Sequence, residues 1–474
     1  MPKVKVTIGN DRPPRPALGS TTTAFIVGLA ERGPVGEVIE IKSTGQLVTL
    51  CGARVAYSPV YDVLDVAFRR GLSRALFSRR VGPAAASATK KLKAGATDVL
   101  EAIASSPGEW ANDAEIDTED GVTPETFHVK VTLDGDLLET SPELADNDAA
   151  VAWASKFSAF ITLKKLAAGI PDEQSVKLAG GADDRNNVDD VVIAKGLELF
   201  GADLGTGQVA APGFTDEATQ AAVMAHCEAM QRVPVLDGED TDDADELIEQ
   251  VGKLRSLPGA RQTAVFAPWD IVPGLALGTT RTVPPCGRQL GAIAAVDAKS
   301  GTANVPAAGD EGKDTYPIGL SQTYSDEDRE RLNEAGVNIS IVEENVVTTF
   351  GWRTLADPVT EAGTWLSLAS ARQVIAMAAE VRSVLKRYLF KPLDAKGIRR
   401  AAAEGACQNE VIKPAYQANG VFGDTEAEAA QVVVEQDVSP TDGSIGKLTG
   451  NLTARPTPFS EEIDFQVSAT SEAL

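Results

Sequence analysis

Hydrophobic residues along this chain change period several times, and each change marks an element. Thr23-Ala24-Phe25-Ile26-Val27-Gly28-Leu29-Ala30 is an unbroken, largely apolar run of strand length, which reads as a strand buried on both faces. Val60–Arg70 repeats its apolar positions at helical spacing, so residues 21–81 read β-α-α-β. Between residues 182 and 271 the two patterns alternate. Residues 188–200 read as a helix, 208–211 as a strand stopped by Pro212-Gly213, and 234–237 and 262–266 as further strands. Thr215 reads as the cap of a helix running to Met230, and residues 243–254 as another helix. This βαβ spacing predicts a sheet with parallel neighbours. In residues 127–133 alternation is strict and leads into Asp134-Gly135-Asp136, a strand followed by a tight turn. No repeat of 20–50 residues is visible.

The last third carries the most ordered set of signals. Ser325-Asp326-Glu327-Asp328 starts a helix, with Ser325 as cap and the acids at the positive helix end. That helix ends in Leu332-Asn333-Glu334-Ala335-Gly336-Val337-Asn338, and Ile339-Ser340-Ile341-Val342 reads as a strand. Phe350-Gly351-Trp352-Arg353-Thr354-Leu355 reads as a second strand, and a long amphipathic helix is expected from near Trp365. Upstream stand Phe266-Ala267-Pro268-Trp269, Val283-Pro284-Pro285-Cys286-Gly287 and Gly291-Ala292-Ile293-Ala294-Ala295-Val296-Asp297, then residues 301–306. The chain closes with Gly450-Asn451-Leu452-Thr453-Ala454-Arg455-Pro456-Thr457-Pro458-Phe459-Ser460-Glu461-Glu462-Ile463-Asp464-Phe465.

In this order the segments resemble the contractile tail sheath proteins, the outer-tube subunits of myovirus tails and related injection systems. The Phe266–Trp269 segment is similar to the family's aromatic-x-Pro-Trp, and residues 283–297 to its Pro-Pro-Ser-Gly and Ala-Gly-x-x-Ala-x-x-Asp runs. Residues 301–306 stand where the family has Gly-Val-x-x-Ala-Pro. The resemblance covers residues 182–465 and extends to 21–81. Cys286 replaces a usual Ser, Trp352 stands where a small residue is common, and Thr349-Phe350 replaces a Val-Trp pair. No one motif is diagnostic; their order is.

The resemblance implies an α/β and α+β multidomain chain. Its parts would be a linking arm (residues 1–20), a sheath core in two pieces (21–84 and 183–325), an inserted mainly-β outer domain (85–182), and a C-terminal α+β tube-proximal domain (326–474). It further implies a structural subunit that polymerises as stacked hexameric rings into a helical tube and contracts to drive an inner tube through a cell envelope. The partners so implied are further copies, the inner tail tube protein, and baseplate and tail terminator proteins. The place implied is a virion tail assembled in the bacterial host cytoplasm. A non-infecting bacteriocin-like or type VI-like device is the alternative, and an α/β enzyme such as a hydrolase is the rival from another class.

Charge sharpens the domain reading. Residues 67–97 hold eight Lys or Arg and no acid, whereas residues 109–148 hold thirteen Asp or Glu against one Lys. So sharp a reversal places a boundary near residues 82–95, and an insertion of mainly β structure with helix near residues 149–160. A block that acidic is costly to bury, which predicts high radius. The whole chain carries a net charge of −24, disfavouring direct nucleic-acid contact and anionic membrane surfaces. Against that background, residues 372–413 hold nine Lys or Arg and four acids. Arg382, Lys386, Arg387, Lys391, Lys396, Arg399 and Arg400 cluster there, and Arg382, Lys386, Arg387 and Lys391 are the expected tube-facing residues.

The ends read as arms. Val4, Lys5, Val6, Thr7 and Ile8 alternate as a short strand, followed by the stiff Asp11-Arg12-Pro13-Pro14-Arg15-Pro16. Ile463, Asp464, Phe465, Gln466 and Val467 form the counterpart at the other end. Both sets are expected to add to neighbours' sheet edges. Residues 1–6 lack the apolar core of an export signal and no 18-residue apolar run occurs, so no membrane insertion and release by lysis are expected.

Catalytic chemistry is poorly represented. His226 and Cys227 are adjacent on a helix and point about 100° apart, an unsuitable nucleophile pair. His128 lies in mid-strand. Gly205-Thr206-Gly207-Gln208-Val209-Ala210 opens a strand, the reverse of the dinucleotide fingerprint context. Gly312-Lys313 lacks the Ser or Thr of a phosphate loop. Asp237-Gly238-Glu239-Asp240-Thr241-Asp242-Asp243 departs from calcium-loop spacing and reads as a solvated acidic loop. Cys51, Cys227, Cys286 and Cys407 are scattered, without a disulfide or zinc pattern. No cofactor, metal or catalytic residue is expected.

Overall fold

The computed structural model describes residues 21–460, except 362, 440 and 442–445. The first segment is β1 (Thr23–Gly28), β2 (Ile39–Ile41), α1 (Thr44–Cys51), α2 (Val60–Arg70) and β3 (Arg74–Arg79). The expected β-α-α-β gains β2, whose three residues are too few to carry a pattern. Next come β4 (Thr89–Ala94), β5 (Thr97–Ala104), β6 (Ala114–Asp120), β7 (Phe127–Leu133), β8 (Asp136–Thr140), α3 (Asn147–Phe157), β9 (Ile161–Lys165) and β10 (Gln174–Lys177). The alternating segment resolves into α4 (Asp190–Leu197), β11 (Gln208–Ala210), α5 (Glu217–Met230), β12 (Val233–Asp237), α6 (Ala244–Arg255) and β13 (Ala264–Ala267). Asp216, not Thr215, caps α5 by accepting the Thr219 N–H at 2.8 Å; the Thr215 carbonyl is taken by Gln250.

Then follow β14 (Asp270–Pro273), β15 (Thr280–Val283), α7 (Cys286–Ser300), β16 (Lys313–Asp314), β17 (Gly319–Leu320), α8 (Asp326–Glu334), β18 (Val337–Glu343) and β19 (Val346–Thr349). Ser325 caps α8 through the Asp328 N–H, as its sequence predicts. The second strand of that hairpin is β19, not residues 350–355. Glu344 and Asn345 make the turn with φ of 49° and 64°, the left-handed pair of a two-residue hairpin. Past β19, the Asn338 side chain takes a strand partner's place, accepting the Arg353 N–H at 2.6 Å and donating to its carbonyl at 2.9 Å. The chain ends its described part with α9 (Leu368–Lys386), α10 (Ile398–Cys407), a π turn at Gln408–Ile412, α11 (Lys413–Gln417), α12 (Glu426–Ala429), β20 (Ala430–Asp437) and β21 (Lys447–Ala454). The long helix begins at Leu368, after a 3-10 turn at Gly363–Leu366 that contains Trp365.

Nine strands form one sheet in the order β16-β19-β18-β13-β12-β11-β1-β3-β2. The run from β18 to β3 is parallel throughout, and the edges are antiparallel. Strand alternation divides the core between two faces. Ala24, Ile26, Ala75 and Phe77 join a cluster with residues of α1, α2, α7 and the start of α9. Phe25, Val27 and Leu76 join the opposite one with α4, α5, α6 and α8. Helices on both sheet faces make a three-layer α/β core. Helices α2 and α7 approach closely because Gly287 and Gly291 face α2: an added Cβ would lie 2.7 Å from the Val63 carbonyl oxygen and 2.6 Å from that of Ala67.

Residues 88–178 build a separate cluster from two sheets, β10-β6-β7-β8 and β4-β5-β9, with α3. Arg79, at the end of β3, clamps this unit to the core. It is fully buried and donates to the carbonyls of Ala30 (3.1 Å), Gly33 (2.9 Å) and Pro107 (2.9 Å), with Asp183 opposite at 3.5 Å.

Glu239, Asp240, Asp242 and Asp243 are exposed, as the solvated-loop reading expects, and Asp237 alone of the acids departs from it. It is buried at the end of β12 and accepts the N–H groups of Gly213 (3.1 Å) and Cys286 (2.9 Å), tying the loop before α5 to the start of α7. Burial pushes its carboxyl up to about 6, although both N–H groups favour the charged form. The folded chain therefore binds this proton more tightly than the unfolded chain, and the stability linked to it rises as pH falls from 7 toward 4. A two-unit rise corresponds to about 3 kcal/mol across the full window. Asp237→Asn keeps an acceptor but does not titrate, so its stability should change less than that of the unaltered chain between pH 7 and pH 5. Urea unfolding midpoints check this; parallel pH dependences would exclude Asp237 as the source.

Candidate assembly surface

Helix α9 joins two cores. Leu368, Ala369 and Ile375 pack on the nine-stranded sheet, while Met377 and Val384 belong to a C-terminal cluster with Cys407, Val411, Ile412, Ala415 and Ala430. Arg372 fixes the junction: fully buried, it pairs with Asp297 of α7 and donates to the Ala303 carbonyl at 3.1 Å. The most N-terminal member of the basic segment is thus a core residue.

The remaining cations divide by partner. Arg382 and Lys386 are exposed, four residues apart on one face of α9, and make no ion pair among the described residues. Arg387 pairs with Glu410 at 2.8 Å, and Arg400 with Glu404 at 2.9 Å. Lys391 lines an apolar groove instead of continuing the α9 face. The expected tube-facing set of four therefore falls into an exposed pair, a paired arginine and a groove residue.

β20 and β21 form a two-stranded antiparallel sheet. On the outer edge of β20, Glu404 accepts the Val434 N–H at 3.1 Å and Arg400 donates to the Val434 carbonyl at 3.0 Å. Those side chains occupy the middle of that edge. β21 has no second strand partner among the described residues. The arm residues Val4–Ile8 and Ile463–Val467 lie outside the described residues.

The weighed chemical candidates serve packing. Arg232 donates to the Gly201 carbonyl at 2.7 Å and to that of Gly205 at 3.0 Å, stacks 3.8 Å from the Phe25 ring centroid, and lies 3.0 Å from His226 Nε2. Burial first, and the Arg232 charge second, push His226 down to about 4. The adjacent Cys227 is fully buried and its thiol is pushed well up by burial. His128, in β7, has its Nδ1 3.0 Å from the Ser141 carbonyl oxygen. Gly205–Gly207 opens β11, as read from sequence. Among the described residues, no group of three or more His, Cys, Asp or Glu is arranged to hold a metal, and no helix is long and apolar enough to cross a membrane. Sequence reasoning passed over the hairpin tip at residues 274–279 and the groove around Phe390. The Gly-Leu-Ala-Leu-Gly run at 274–278 was the available signal for the first.

No family model and no curated protein matches the chain by sequence. Solved structures do match along nearly its whole length. A sheath tail protein from Desulfitobacterium hafniense is 13% identical with a TM-score of 0.63, over 95% of this chain and 100% of that one. A sheath tail protein from Listeria innocua is 13% identical at 0.63, over 91% and 94%. The sheath of an extracellular contractile injection system in its contracted state is 14% identical at 0.55, over 99% of both. The chain has the fold of contractile sheath proteins.

Proposed function

We propose that this chain is the sheath subunit of a contractile tail or injection device. Copies stack as hexameric rings around an inner tube and contract to drive it through a cell envelope, with baseplate and terminator proteins at the ends. The observation that carries this is likeness to sheath chains over almost the entire length, insertion and C-terminal part included. Purified protein should sediment as very large cylinders visible by electron microscopy; a small, discrete oligomer at all concentrations would overturn the reading. DNA-filled heads or headless tails in the same micrographs separate a phage from an injection device.

Within this reading residues 85–182 are an inserted outer domain. The acidic block at 109–148 and a hydrophobic cluster of its own support that position. The arms Val4–Ile8 and Ile463–Val467 pair with neighbours' strands. β21 is the favoured edge, because Arg400 and Glu404 already satisfy the centre of β20.

Arg382 and Lys386 face the inner tube. Their exposure, shared face and freedom from ion pairs among the described residues support the role; Arg387 is held by Glu410. Such contacts are individually weak, about 0.2–1 kcal/mol each and sensitive to salt. Sixfold rings multiply them, yet contraction can break them together. The double reversal Arg382→Glu, Lys386→Glu should lower the ratio of extended, tube-filled particles to empty contracted ones. An unchanged ratio would remove this face of α9 from the tube contact.

A further inference from the structure

The loop between β14 and β15 presents two leucines that the fold leaves uncovered. Leu275 is 71% exposed and Leu277 fully exposed. The tip is a closed turn: the Gly274 N–H donates to the Thr279 carbonyl at 2.7 Å, and the Thr279 hydroxyl to the Ala276 carbonyl at 2.6 Å. From Ile271 to Thr280 this finger has no charged residue, on a chain of net charge −24. At about 3.3 Å per residue its tip stands roughly 15 Å from Asp270. The base is anchored. Trp269 donates to the Gly238 carbonyl at 2.9 Å, and Arg281 reaches the carbonyls of Val55 and Ser58 at 3.0 Å each and pairs with Asp62 at 3.1 Å. Beside that base lies the exposed acidic loop with Glu239, Asp240, Asp242 and Asp243, joined to it by Ser321 Oγ donating to Asp240 at 2.5 Å.

The C-terminal part has the opposite shape and charge. Leu385, Tyr388, Leu389, Phe390, Leu393 and Leu448 line an apolar groove of about 830 Å³, with Lys391 also in its wall. Phe390 is fully exposed, Leu389 63% exposed, and the exposed Lys386 and Lys396 flank the segment. An uncharged apolar knob with acids behind it thus matches an apolar groove around which Lys386, Lys391 and Lys396 outnumber the adjacent Asp394 and Asp437. Since Leu277 and Phe390 are both fully exposed, the chain does not fill its own groove with its own finger. A contact between copies of so acidic a chain is least opposed where the contacting tip bears no charge and the surrounding charges are opposite.

We propose that the Leu275–Leu277 finger of one copy inserts into the Leu385–Leu393 groove of the next; the inference rests on the sheath reading and names one of its subunit contacts. Finger and groove are different surfaces, so the contact is heterologous. Every copy added leaves one finger and one groove free, and the series stays open.

The test uses the full chain. Leu277→Asp blocks the finger and Leu389→Asp the groove. Both sites are exposed, and circular dichroism confirms that each variant folds; Leu277→Ser replaces the first if it does not. Each variant alone should need at least about tenfold more protein to assemble, the scale of burying one leucine. Mixed in equal amounts, the two should associate through the one intact finger–groove pair, giving a heterodimer in sedimentation velocity that neither forms alone. Higher salt should weaken it. If the unaltered chain forms cylinders and Leu277→Asp forms them at the same concentration, the finger contact is wrong and the sheath reading stands. If the unaltered chain forms fibres that are not cylinders, and Leu277→Asp abolishes them, the contact stands and the sheath reading falls. If the mixed variants behave as each does alone, the proposed pairing is wrong.

Discussion

Replacing Arg288 by methionine is expected to cost about 3–5 kcal/mol of stability, the range for removing one partner of a buried ion pair. Arg288 lies on α7 with almost no exposure, and its Nε donates to both carboxylate oxygens of Asp270 at 3.0 and 3.1 Å. Its other nitrogens donate to Thr349 Oγ1 at 2.7 Å and Ser340 Oγ at 2.6 Å, and Gln289 adds a bond to Thr349 at 2.9 Å. One side chain therefore ties α7 to β14, β18 and β19. Methionine fills similar space but leaves Asp270 buried without its cation. Burial already pushes that carboxyl up to about 6, with the Arg288 charge the main force holding it down. Without Arg288 the carboxyl is driven to its neutral form, and Ser340 and Thr349 each lose a donor. Because a domain has only about 5–15 kcal/mol in total, the expected result is a large fall in the urea midpoint. The double variant Arg288→Met, Asp270→Leu should recover part of the loss, since it removes both charges together. A midpoint unchanged by Arg288→Met would show that the network contributes nothing net.

That network also shows which features can be read from one sequence. Val60–Arg70 is legible to the residue, because an amphipathic stripe stops at Gly71. The alternating α/β core is legible in kind, because its strands are apolar and its helices amphipathic, but caps are legible only in part: Ser325 caps α8 as its sequence predicts, whereas α5 is capped by Asp216 and not by the neighbouring Thr215. Buried charge is not legible. Arg288 pairs across 18 positions, Arg372 across 75, and Arg79 reaches an aspartate over 100 residues away. In sequence each is only a cation, and Arg372 opens the basic stretch 372–413 with nothing to set it apart from the exposed cations that follow. The strand expected over residues 350–355 fails for a related reason: there the Asn338 side chain, not a neighbouring strand, pairs with the Arg353 backbone, and that long-range contact leaves no mark in the local pattern. The exposed pair Arg382 and Lys386 was legible as helix spacing, but the pairing of Arg387 with Glu410 depends on how α9 meets the turn after α10. The groove around Phe390 depends on an irregular segment with φ of 57°, for which the sequence carries no periodic signal.

Deleting residues 1–16 is expected to abolish polymerisation while leaving the fold intact. Every strand of the nine-stranded sheet falls within residues 23–349, so no described core strand is removed. What the deletion removes is the alternating segment Val4–Ile8 and its proline spacer. A strand of that length offers about four hydrogen bonds to a neighbour's edge, each worth roughly 1 kcal/mol net. Four such bonds amount to about a thousandfold in association. In the proposed lattice each copy would be held by several links at once, so the loss would be multiplied along the assembly. β21 supplies an edge with no second strand partner among the described residues, and losing the incoming strand would leave its outward N–H and C=O groups to water. The shortened chain should keep the far-ultraviolet circular dichroism and urea midpoint of the full one, yet sediment as a monomer at concentrations where the full chain forms cylinders. Adding a peptide of residues 1–16 in excess to full-length protein should likewise shorten the cylinders, by occupying edges that arms would fill. Cylinders of normal length from the deletion would show that the N-terminal arm does not link the subunits.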